Sequence, residues 1–281
     1  MTDVLNLKLK NVCTLIKEAS PVLVAFSGGV DSTFLLKLCT NNLDSSHILA
    51  VTGISPSIPI EEQEEAQKIA EMLHVPFMTI PTHEMTKKEY RSNPINRCYY
   101  CKEELFSKLE DLKIERKFKT ILDGTNADDI QDLRPGLKAR DKFNVRSPLL
   151  ESGFTKDDIR LLSQRWNLPT WNKPAAPCLS SRIPYGQEIT LEKLDRVHLA
   201  EKCLKRLNFK EVRVRDHFPI ARIEIEKKEM PRLIEEPTCA QIINELKQLG
   251  YTFITLDLAG FKSGSLNSLI NIQNLPQTSV H

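Results

Sequence analysis

A short run of glycine, serine and aspartate follows the first β-prone stretch of the chain. Residues 27–32 read S-G-G-V-D-S and lead directly into a segment whose apolar spacing predicts a helix. A strand, a glycine turn and a helix N-terminus together form an anion site, because unpaired backbone N–H groups and the helix dipole both attract negative charge. Gly28 and Gly29 allow a phosphate to approach closely, while Ser27 and Ser32 add hydroxyl donors.

An aspartate inside this turn indicates a metal as well as a phosphate. A carboxylate repels phosphate unless a divalent cation lies between them, so Asp31 predicts bound Mg²⁺. The spacing excludes the patterns G-x-x-x-x-G-K-[ST] and G-x-G-x-x-G. The form S-G-G-x-D-S instead resembles the pyrophosphate loop of the ATP pyrophosphatase superfamily, whose members split ATP between the α and β phosphates and adenylate an acceptor. The alternative is an ordinary Gly-Gly turn with a Ser or Asp N-cap.

Three of the seven cysteines lie outside strongly apolar stretches. Cys98 and Cys101 form C-x-x-C, and Cys178 lies far along the chain in a proline-rich stretch at 168–186. Three thiolates are too few for a closed structural zinc site, and the usual context of a thioredoxin-like redox pair is missing. A [4Fe–4S] cluster held by three cysteines, with one open iron, fits their number. All of these interpretations, and that of three unrelated thiols, stay open on spacing alone. The other four cysteines are expected to be buried small hydrophobes: Cys13, Cys39, Cys203 and Cys239.

Alternating strands and helices are expected to position these residues. This order predicts an α/β fold with a parallel sheet, in which ligands bind beyond the carboxyl ends of the strands. The proline-rich stretch predicts a loop that ends a first domain at 1–186 and precedes a small α+β domain at 187–281. Expected strands are 21–26, 47–51, 76–80, 120–123, 145–150, 211–215, 220–225 and 251–258; expected helices are 1–20, 34–38, 61–73, 103–112, 155–166, 190–207 and 240–249.

Composition narrows the class of protein. The 281 residues carry 39 basic and 37 acidic side chains, a net charge of +2 that gives no general case for nucleic-acid binding. No apolar run approaches the ~18 residues of a membrane span, and the charged N-terminus predicts an amphipathic helix, not a signal peptide. An odd number of cysteines argues against a disulfide framework and favours a reducing cytoplasm.

With the nucleotide loop, the cysteine pair and the proline-rich loop together, the chain resembles the LarE family. These are ATP-dependent sulfur transferases that help build the nickel-pincer nucleotide cofactor. The resemblance covers nearly the whole chain, through ordered matches at 123–126, 134–140, 171–173, 178–186, 212–215, 220–224 and 255–258. At Lys262 the family often has arginine, so the contact expected there loses its bidentate geometry.

The resemblance implies a reaction. ATP adenylates a carboxylate of a pyridinium dicarboxylate mononucleotide with release of pyrophosphate, and sulfur then displaces AMP to give a thiocarboxylate. Lys102 is expected to neutralise charge on the phosphates during adenylation. The implied ATP-binding residues are Ser27, Gly28, Gly29, Asp31, Ser32, Asp123, Gly124 and Asn126; the implied substrate-phosphate residues are Arg182, Glu201, Arg213 and Arg215.

Family members differ in the source of sulfur. Some sacrifice a cysteine from the loop that matches Cys178 and leave dehydroalanine; others use three cysteines and a [4Fe–4S] cluster. The pair Cys98 and Cys101 favours the cluster type, with Cys178 as third ligand and catalytic residue, while the sacrificial route stays open. The family also implies a homohexamer. Competing functions are a tRNA thiolase, which would need a basic RNA-binding surface, an amidating ligase similar to NAD or GMP synthetases, and a non-enzymatic nucleotide sensor.

Overall fold

The computed structural model describes residues 3–130 and 136–262. Two compact units emerge, Met1–Lys87 with Asn96–Ala176 and Lys88–Ile95 with Pro177–His281. The strands of the described residues are β1 (Val22–Ala25), β2 (Ile48–Ile54), β3 (Phe77–Pro81), β4 (Thr120–Leu122), β5 (Val212–His217), β6 (Ile220–Ile225) and β7 (Phe253–Leu256). Their helices are α1 (Asp3–Ala19), α2 (Val30–Asn42), α3 (Ile60–Met72), α4 (Lys88–Arg91), α5 (Arg97–Arg116), α6 (Gly136–Lys142), α7 (Pro148–Glu151), α8 (Lys156–Arg165), α9 (Leu191–Arg206), α10 (Met230–Ile234) and α11 (Thr238–Gln248).

A four-stranded parallel sheet forms the centre of the first unit. Its strand order is β3-β2-β1-β4, and Val22 of β1 pairs with both Ile48 of β2 and Thr120 of β4. The chain runs outward from β1 through β2 to β3 and then returns to the other side of β1. Such a reversal is where open α/β sheets bind ligands, so the edge beyond β1 and β4 is the expected site. The α/β fold class is confirmed.

Both faces of this sheet are covered. Val22 and Val24 point into one core with residues of α1, α2 and α8, while Leu23 between them points into a second core with Phe106 and Leu109 of α5. Alternation along a strand sends successive side chains to opposite faces, and burial on both sides explains why β1 is a continuous apolar run. The loop that follows β1 therefore leaves a strand that is buried up to its last residue, Ala25.

The second unit contains a three-stranded mixed sheet. β5 and β6 form an antiparallel hairpin, and β7 pairs parallel to β6. Val212 and Val214 of β5 pack into a core with residues of α9 and α11. The strands expected at 211–215 and 220–225 are confirmed, and Arg213 and Arg215 lie on the face of β5 opposite this core.

Three elements differ from expectation. The helix expected at 103–112 begins at Arg97, so that both cysteines of the pair lie in its first two turns. The strand expected at 145–150 is wrong: Arg146 makes a single bridge to Leu122, and α7 starts at Pro148 because the N–H of Ser147 donates to the Glu151 carboxylate at 3.0 Å. The helices α4, α6 and α10 were not expected. Residues 131–135, which include part of the family match at 134–140, lie outside the described residues.

Two further features of the helices are the start of α8 and their apolar content. The Thr155 side chain accepts a hydrogen bond from the Asp158 N–H, and the Asp158 side chain accepts one from the Thr155 N–H, which completes a capping box. Among residues 3–130 and 136–262, no helix has the length and apolar character needed to cross a bilayer.

Candidate active site

The phosphate loop connects β1 to α2. Gly28 has a φ of 65°, a left-handed conformation that glycine adopts without steric cost, and Gly29 caps α2 with extended backbone. A Cβ at position 28 would lie 3.0 Å from both Cα and Cβ of Ala66 in α3. Helix α3 thus packs directly behind the loop, and only glycine fits between them.

Hydroxyl groups tie the two ends of this loop together. The Oγ atoms of Ser27 and Ser32 are hydrogen-bonded at 3.1 Å, and Ser32 Oγ also lies in donor range of the Gly29 carbonyl at 3.2 Å. The buried hydroxyl of Thr33 has no hydrogen-bond partner among the described atoms. The first turn of α2 therefore offers polar groups that the protein itself leaves unsatisfied, as an anion site requires.

Asp31 is paired with a lysine that the sequence analysis did not single out. Lys156, the first residue of α8, places its Nζ 2.5 Å from Asp31 Oδ2. The other oxygen, Oδ1, is buried and makes no geometrically good hydrogen bond among the described atoms, although the Asn126 side chain is close enough to lower the pKa of this carboxyl group. Burial raises the pKa of Asp31, against the opposing effect of the Lys156 charge. A carboxylate with one oxygen unsatisfied and one on a lysine is suited to exchange its partner for a metal ion.

The turn after β4 packs against this helix terminus. A Cβ at Gly124 would lie 2.9 Å from the Ser32 backbone nitrogen. Asp123 accepts hydrogen bonds from Thr125 Oγ1 at 2.8 Å and Ser147 Oγ at 2.5 Å. Asn126 Oδ1 accepts the Asp128 N–H at 2.9 Å. The structure thus brings the predicted nucleotide residues of both loops together, with the Asp123 carboxylate holding the shape of its turn.

Two further lysines lie near the same edge. Lys102 of α5 has its Nζ 3.9 Å from Asp123 Oδ2, with a side chain that stays partly exposed. Lys173 donates to the Gly28 carbonyl at 3.4 Å and to Glu62 and Glu65 of α3 at 2.9 Å each. Burial alone would lower the pKa of Lys173, but the two carboxylates raise it above its usual value. Lys173 therefore fixes the loop backbone to α3, a role that sequence spacing did not reveal.

The three cysteines predicted as cluster ligands belong to different units. Cys98 is exposed and Cys101 half-buried in α5, three positions apart and so on one helix face. Cys178, in the second unit, precedes a short 3₁₀ turn at Leu179–Arg182. Among the described residues of either unit, no group of three His, Cys, Asp or Glu side chains is arranged to hold a metal ion.

Two of the remaining cysteines are fully buried, as expected. Burial raises the pKa of Cys39 to about 12, and burial together with Glu245 raises that of Cys203 to about 11. These thiols are poor nucleophiles and poor ligands. Cys13 and Cys239 are half-buried.

The residues predicted to bind the substrate phosphate cluster in the second unit. Arg182 makes a bidentate pair with Glu201 of α9 at 2.7 and 2.9 Å, and Glu201 also accepts the Val214 N–H at 3.1 Å. The other arm of Arg182 donates to the carbonyl groups of Pro177 at 2.6 Å and Cys178 at 3.1 Å. Arg182 consequently anchors the backbone of the cysteine loop to α9 and, through Glu201, to β5.

A second arginine pair lies beside the first. Arg215 contacts Glu224 of β6 bidentately at 2.9 and 2.8 Å and donates to the Ser181 carbonyl at 2.7 Å. Burial, together with the charges of Arg182 and Arg215, lowers the pKa of Arg213 to about 10. Three guanidinium groups are thus crowded together, and an anion bound among them would relieve their repulsion.

The chain is similar to a family model and to known proteins. A family model described as NAD synthase matches residues 4–101. An uncharacterized protein of Synechocystis is 41% identical over 266 residues, which cover 95% of this chain and 99% of that protein. A Lactiplantibacillus plantarum protein named pyridinium-3,5-bisthiocarboxylic acid mononucleotide synthase is 36% identical over 263 residues, covering 94% and 95% of the two chains. An uncharacterized protein of Methanocaldococcus jannaschii is 29% identical over 257 residues, covering 92% and 97%. Similarity of this extent to the named synthase shows that the chain is an ATP-dependent enzyme and belongs to the LarE family.

Proposed function

We propose that the protein is a sulfur transferase acting on a pyridinium carboxylate mononucleotide. ATP first adenylates a ring carboxylate and releases pyrophosphate; sulfide sulfur then displaces AMP and leaves a thiocarboxylate. The phosphate loop at the strand reversal carries the ATP part of this proposal. The name and extent of the plantarum relative support the nucleotide substrate and the sulfur chemistry.

The adenylating half uses the loop and the turn after β4. Backbone N–H groups at Gly28 and Gly29, with the hydroxyls of Ser27 and Ser32, would hold the ATP phosphates. The residues fit Mg²⁺, since Asp31 supplies a carboxylate with an unsatisfied oxygen and Mg²⁺ usually takes one or two carboxylates besides phosphate and water. Bound there, the metal would neutralise charge on the leaving pyrophosphate. The side chain of Lys102 would add positive charge to the same end of the site.

The remaining nucleotide residues line the edge of the site. The Gly124 turn packs on the first turn of α2, and Asn126 orders the residues that follow it. Asp123 is already bonded to neighbouring hydroxyls, so its contribution is to fix the turn. The turn therefore shapes the pocket while the loop holds the phosphates.

The delivering half uses the cysteines. Three thiolates suit a [4Fe–4S] cluster, and Cys98, Cys101 and Cys178 would hold it. Such a cluster would supply an external sulfide at its open iron. In the alternative, Cys178 Sγ itself attacks the adenylate, AMP leaves, and cleavage of the Cβ–S bond with loss of the α-proton leaves dehydroalanine at 178. In both routes the bonds of Arg182 to the Pro177 and Cys178 carbonyls hold the cysteine loop in place.

The arginine cluster would bind the phosphate of the nucleotide substrate. Arg213 lies near two arginines that are themselves paired with Glu201 and Glu224. Burial and then the neighbouring positive charges lower its pKa, and a bound anion would offset both effects. We include a homohexamer in the proposal, as the family resemblance implies, to be tested by light scattering on the purified chain.

One experiment tests the sulfur source. The protein is purified without oxygen, its iron and acid-labile sulfide are measured, and its intact mass is recorded before and after turnover. The proposal expects about four iron atoms per chain and no change in mass. A loss of about 34 Da, one H₂S, at Cys178 without iron would establish the sacrificial route. Cys239→Ala is the matched control, because Cys239 is half-buried and lies outside the trio.

A second test concerns the metal. Asp31→Ala is expected to abolish pyrophosphate release that depends on the carboxylated substrate. Undiminished release would contradict the assignment of Asp31.

An amidating ligase is the second candidate, favoured by the match of residues 4–101 to the NAD synthase model. Such an enzyme needs no cysteine trio. Ammonia-dependent product formation that survives replacement of both Cys98 and Cys178 by alanine would support it over sulfur transfer.

A further inference from the structure

Lys156 occupies the carboxylate that the metal would need. We propose that its ammonium group is an internal cation that holds Asp31 until the metal–ATP complex arrives, so that the nucleotide-free enzyme binds divalent metal weakly at this position. The inference rests on the proposed adenylation at the phosphate loop. It adds that the metal binds together with ATP and that Lys156 hinders the metal from binding first.

The contacts at Asp31 show a site already filled by charge. Lys156 Nζ lies 2.5 Å from Oδ2, while Oδ1 is buried without a hydrogen-bond partner among the described atoms. A metal ion that binds this carboxylate lies close to the ammonium group on its other oxygen. Because the two positive charges repel each other, Lys156 weakens metal binding at Asp31.

The backbone of Lys156 is fixed although its side chain can move. Its N–H donates to Asp128 Oδ2 at 2.7 Å, and the capping box of Thr155 and Asp158 holds the start of α8. The side chain is about one third exposed, at 36%. A lysine has a flexible four-carbon stem, so the ammonium can leave Asp31 without unfolding the helix.

Lys173 provides the contrast at the same loop. Its ammonium bonds the Gly28 carbonyl and two carboxylates, Glu62 and Glu65, and its side chain is only 14% exposed. Three protein oxygens compete with any incoming ligand for this cation. Lys173 is therefore a fixed support of the loop, whereas among residues 3–130 and 136–262 Lys156 has one side-chain partner to exchange.

The phosphates of ATP explain why Lys156 leaves Asp31 when the metal arrives together with the nucleotide. Asp31 belongs to the first turn of α2, where the loop N–H groups attract phosphate. A metal that arrives on ATP brings negative oxygens with it, and these offer the released ammonium new partners of the right charge. A bare metal ion offers none, so it must displace the lysine without compensation.

The test measures metal binding without nucleotide, substrate or turnover. Mn²⁺ is titrated into the nucleotide-free enzyme, and free Mn²⁺ is counted by electron paramagnetic resonance. Lys156→Met is expected to bind one Mn²⁺ at least about tenfold more tightly than the wild type, since one unit charge is removed beside the carboxylate. Lys156→Arg retains the charge and is expected to bind as weakly as the wild type. Equal binding by the wild type and Lys156→Met would overturn the proposal.

Three further variants make the result specific. Asp31→Asn combined with Lys156→Met is expected to lose the added site; retention of tight binding would place the metal elsewhere and overturn the proposal. Lys8→Met is the matched control, because Lys8 forms the same kind of pair with Asp158 of α8 at 2.6 Å. Its Mn²⁺ binding is expected to equal that of the wild type. Lys156→Gln replaces the methionine variant if circular dichroism shows that the latter is unfolded, with the same expected gain.

A different result would contradict the proposed function. Absence of substrate-dependent pyrophosphate release in the wild type would remove the sulfur transferase proposal. It would leave the Mn²⁺ comparison of wild type and Lys156→Met unchanged.

Discussion

The phosphate loop and the arginine–glutamate pairs handle buried charge in opposite ways. At the phosphate loop of the first unit, one oxygen of Asp31 has no hydrogen bond among the described atoms. In the second unit, Arg182 and Arg215 are each bonded bidentately to a buried glutamate. An unsatisfied buried group costs free energy, and beside an anion-binding loop a ligand can satisfy it, whereas a paired buried group holds the protein together. Asp31 at the loop can therefore exchange its partner for a ligand, whereas the arginine–glutamate pairs stabilise the second unit.

The largest expected effect tests the supporting side of this comparison. Glu201→Gln keeps the shape of the side chain but leaves Arg182 buried without its counter-charge. Removing one partner of a buried pair typically lowers the free energy of unfolding by about 3–5 kcal/mol. Urea denaturation of the wild type and the variant measures the difference.

An exposed pair gives the control for that experiment. Glu115 and Arg116 contact each other at 3.2 Å with both side chains more than half exposed. Glu115→Gln is expected to change the free energy of unfolding by less than about 0.5 kcal/mol. If Glu201→Gln cost no more than this control, the arginine pairs would not be the framework that their geometry indicates.

The phosphate loop predicts a second, smaller effect. Gly28→Ala would place a Cβ 3.0 Å from Ala66 in a backbone with φ of 65°, so either the loop or α3 must shift. The expected loss of stability is about 1–3 kcal/mol, together with weaker ATP binding by calorimetry. Gly186→Ala is the control, because Gly186 has a φ of 79° but open space around it. Equal ATP affinity in Gly28→Ala and the control would show that the loop tolerates a side chain.

The sequence predicts the loop better than its surroundings. An apolar run, two glycines and a periodic helix are local signals, and β1, Gly28 and α2 lie where these signals indicate. The capping box of Thr155 is equally local. Lys156 is different, because its contact with Asp31 joins residues 125 positions apart. A lysine at a helix start looks like a solvated surface residue, and only the packing of α8 against α2 gives it a partner.

Errors in the sequence predictions have physical causes of the same kind. The segment at 145–150 (V-R-S-P-L-L) was expected to be a strand, but Pro148 at a helix start and the Glu151 carboxylate on the Ser147 N–H favour α7. The helix α5 begins at Arg97, earlier than expected, because a C-x-x-C pair gives no apolar periodicity to recognise. Alternation along β5 puts Arg213 and Arg215 on one face, yet the bond of Arg215 to Glu224 depends on the register with β6.

Measurements over a range of pH test the comparison, because the pKa of Asp31 and the pKa of Glu224 are shifted in opposite directions. Burial raises the pKa of Asp31 above 3.8 despite Lys156. Burial would also raise that of Glu224, but hydrogen bonds and charge from Arg215 bring its pKa below 4.5. Asp31 therefore contributes stability below pH 3.8 that is lost as the pH rises through its folded pKa. Glu224 contributes stability above pH 4.5 that is lost as the pH falls through its own.

Unfolding free energies between pH 3 and 7 measure these slopes. Asp31→Asn is expected to remove a decline in stability with rising pH, and Glu224→Gln a decline with falling pH. The same sign of change in both variants would contradict the contrast between the two units.

The smallest expected effect is the most specific to the exchange site. Asp31→Asn at pH 7 is expected to leave the free energy of unfolding within about 1 kcal/mol of the wild type, or slightly higher, because a raised pKa means that the folded protein disfavours the charged form. The same variant is expected to lose substrate-dependent pyrophosphate release. If removal of the carboxylate barely changes stability but abolishes the reaction, the carboxylate serves to bind a ligand and not to stabilise the fold. A loss of stability as large as that of Glu201→Gln would instead make the Asp31–Lys156 pair another structural bridge, and the two units would then treat charge alike.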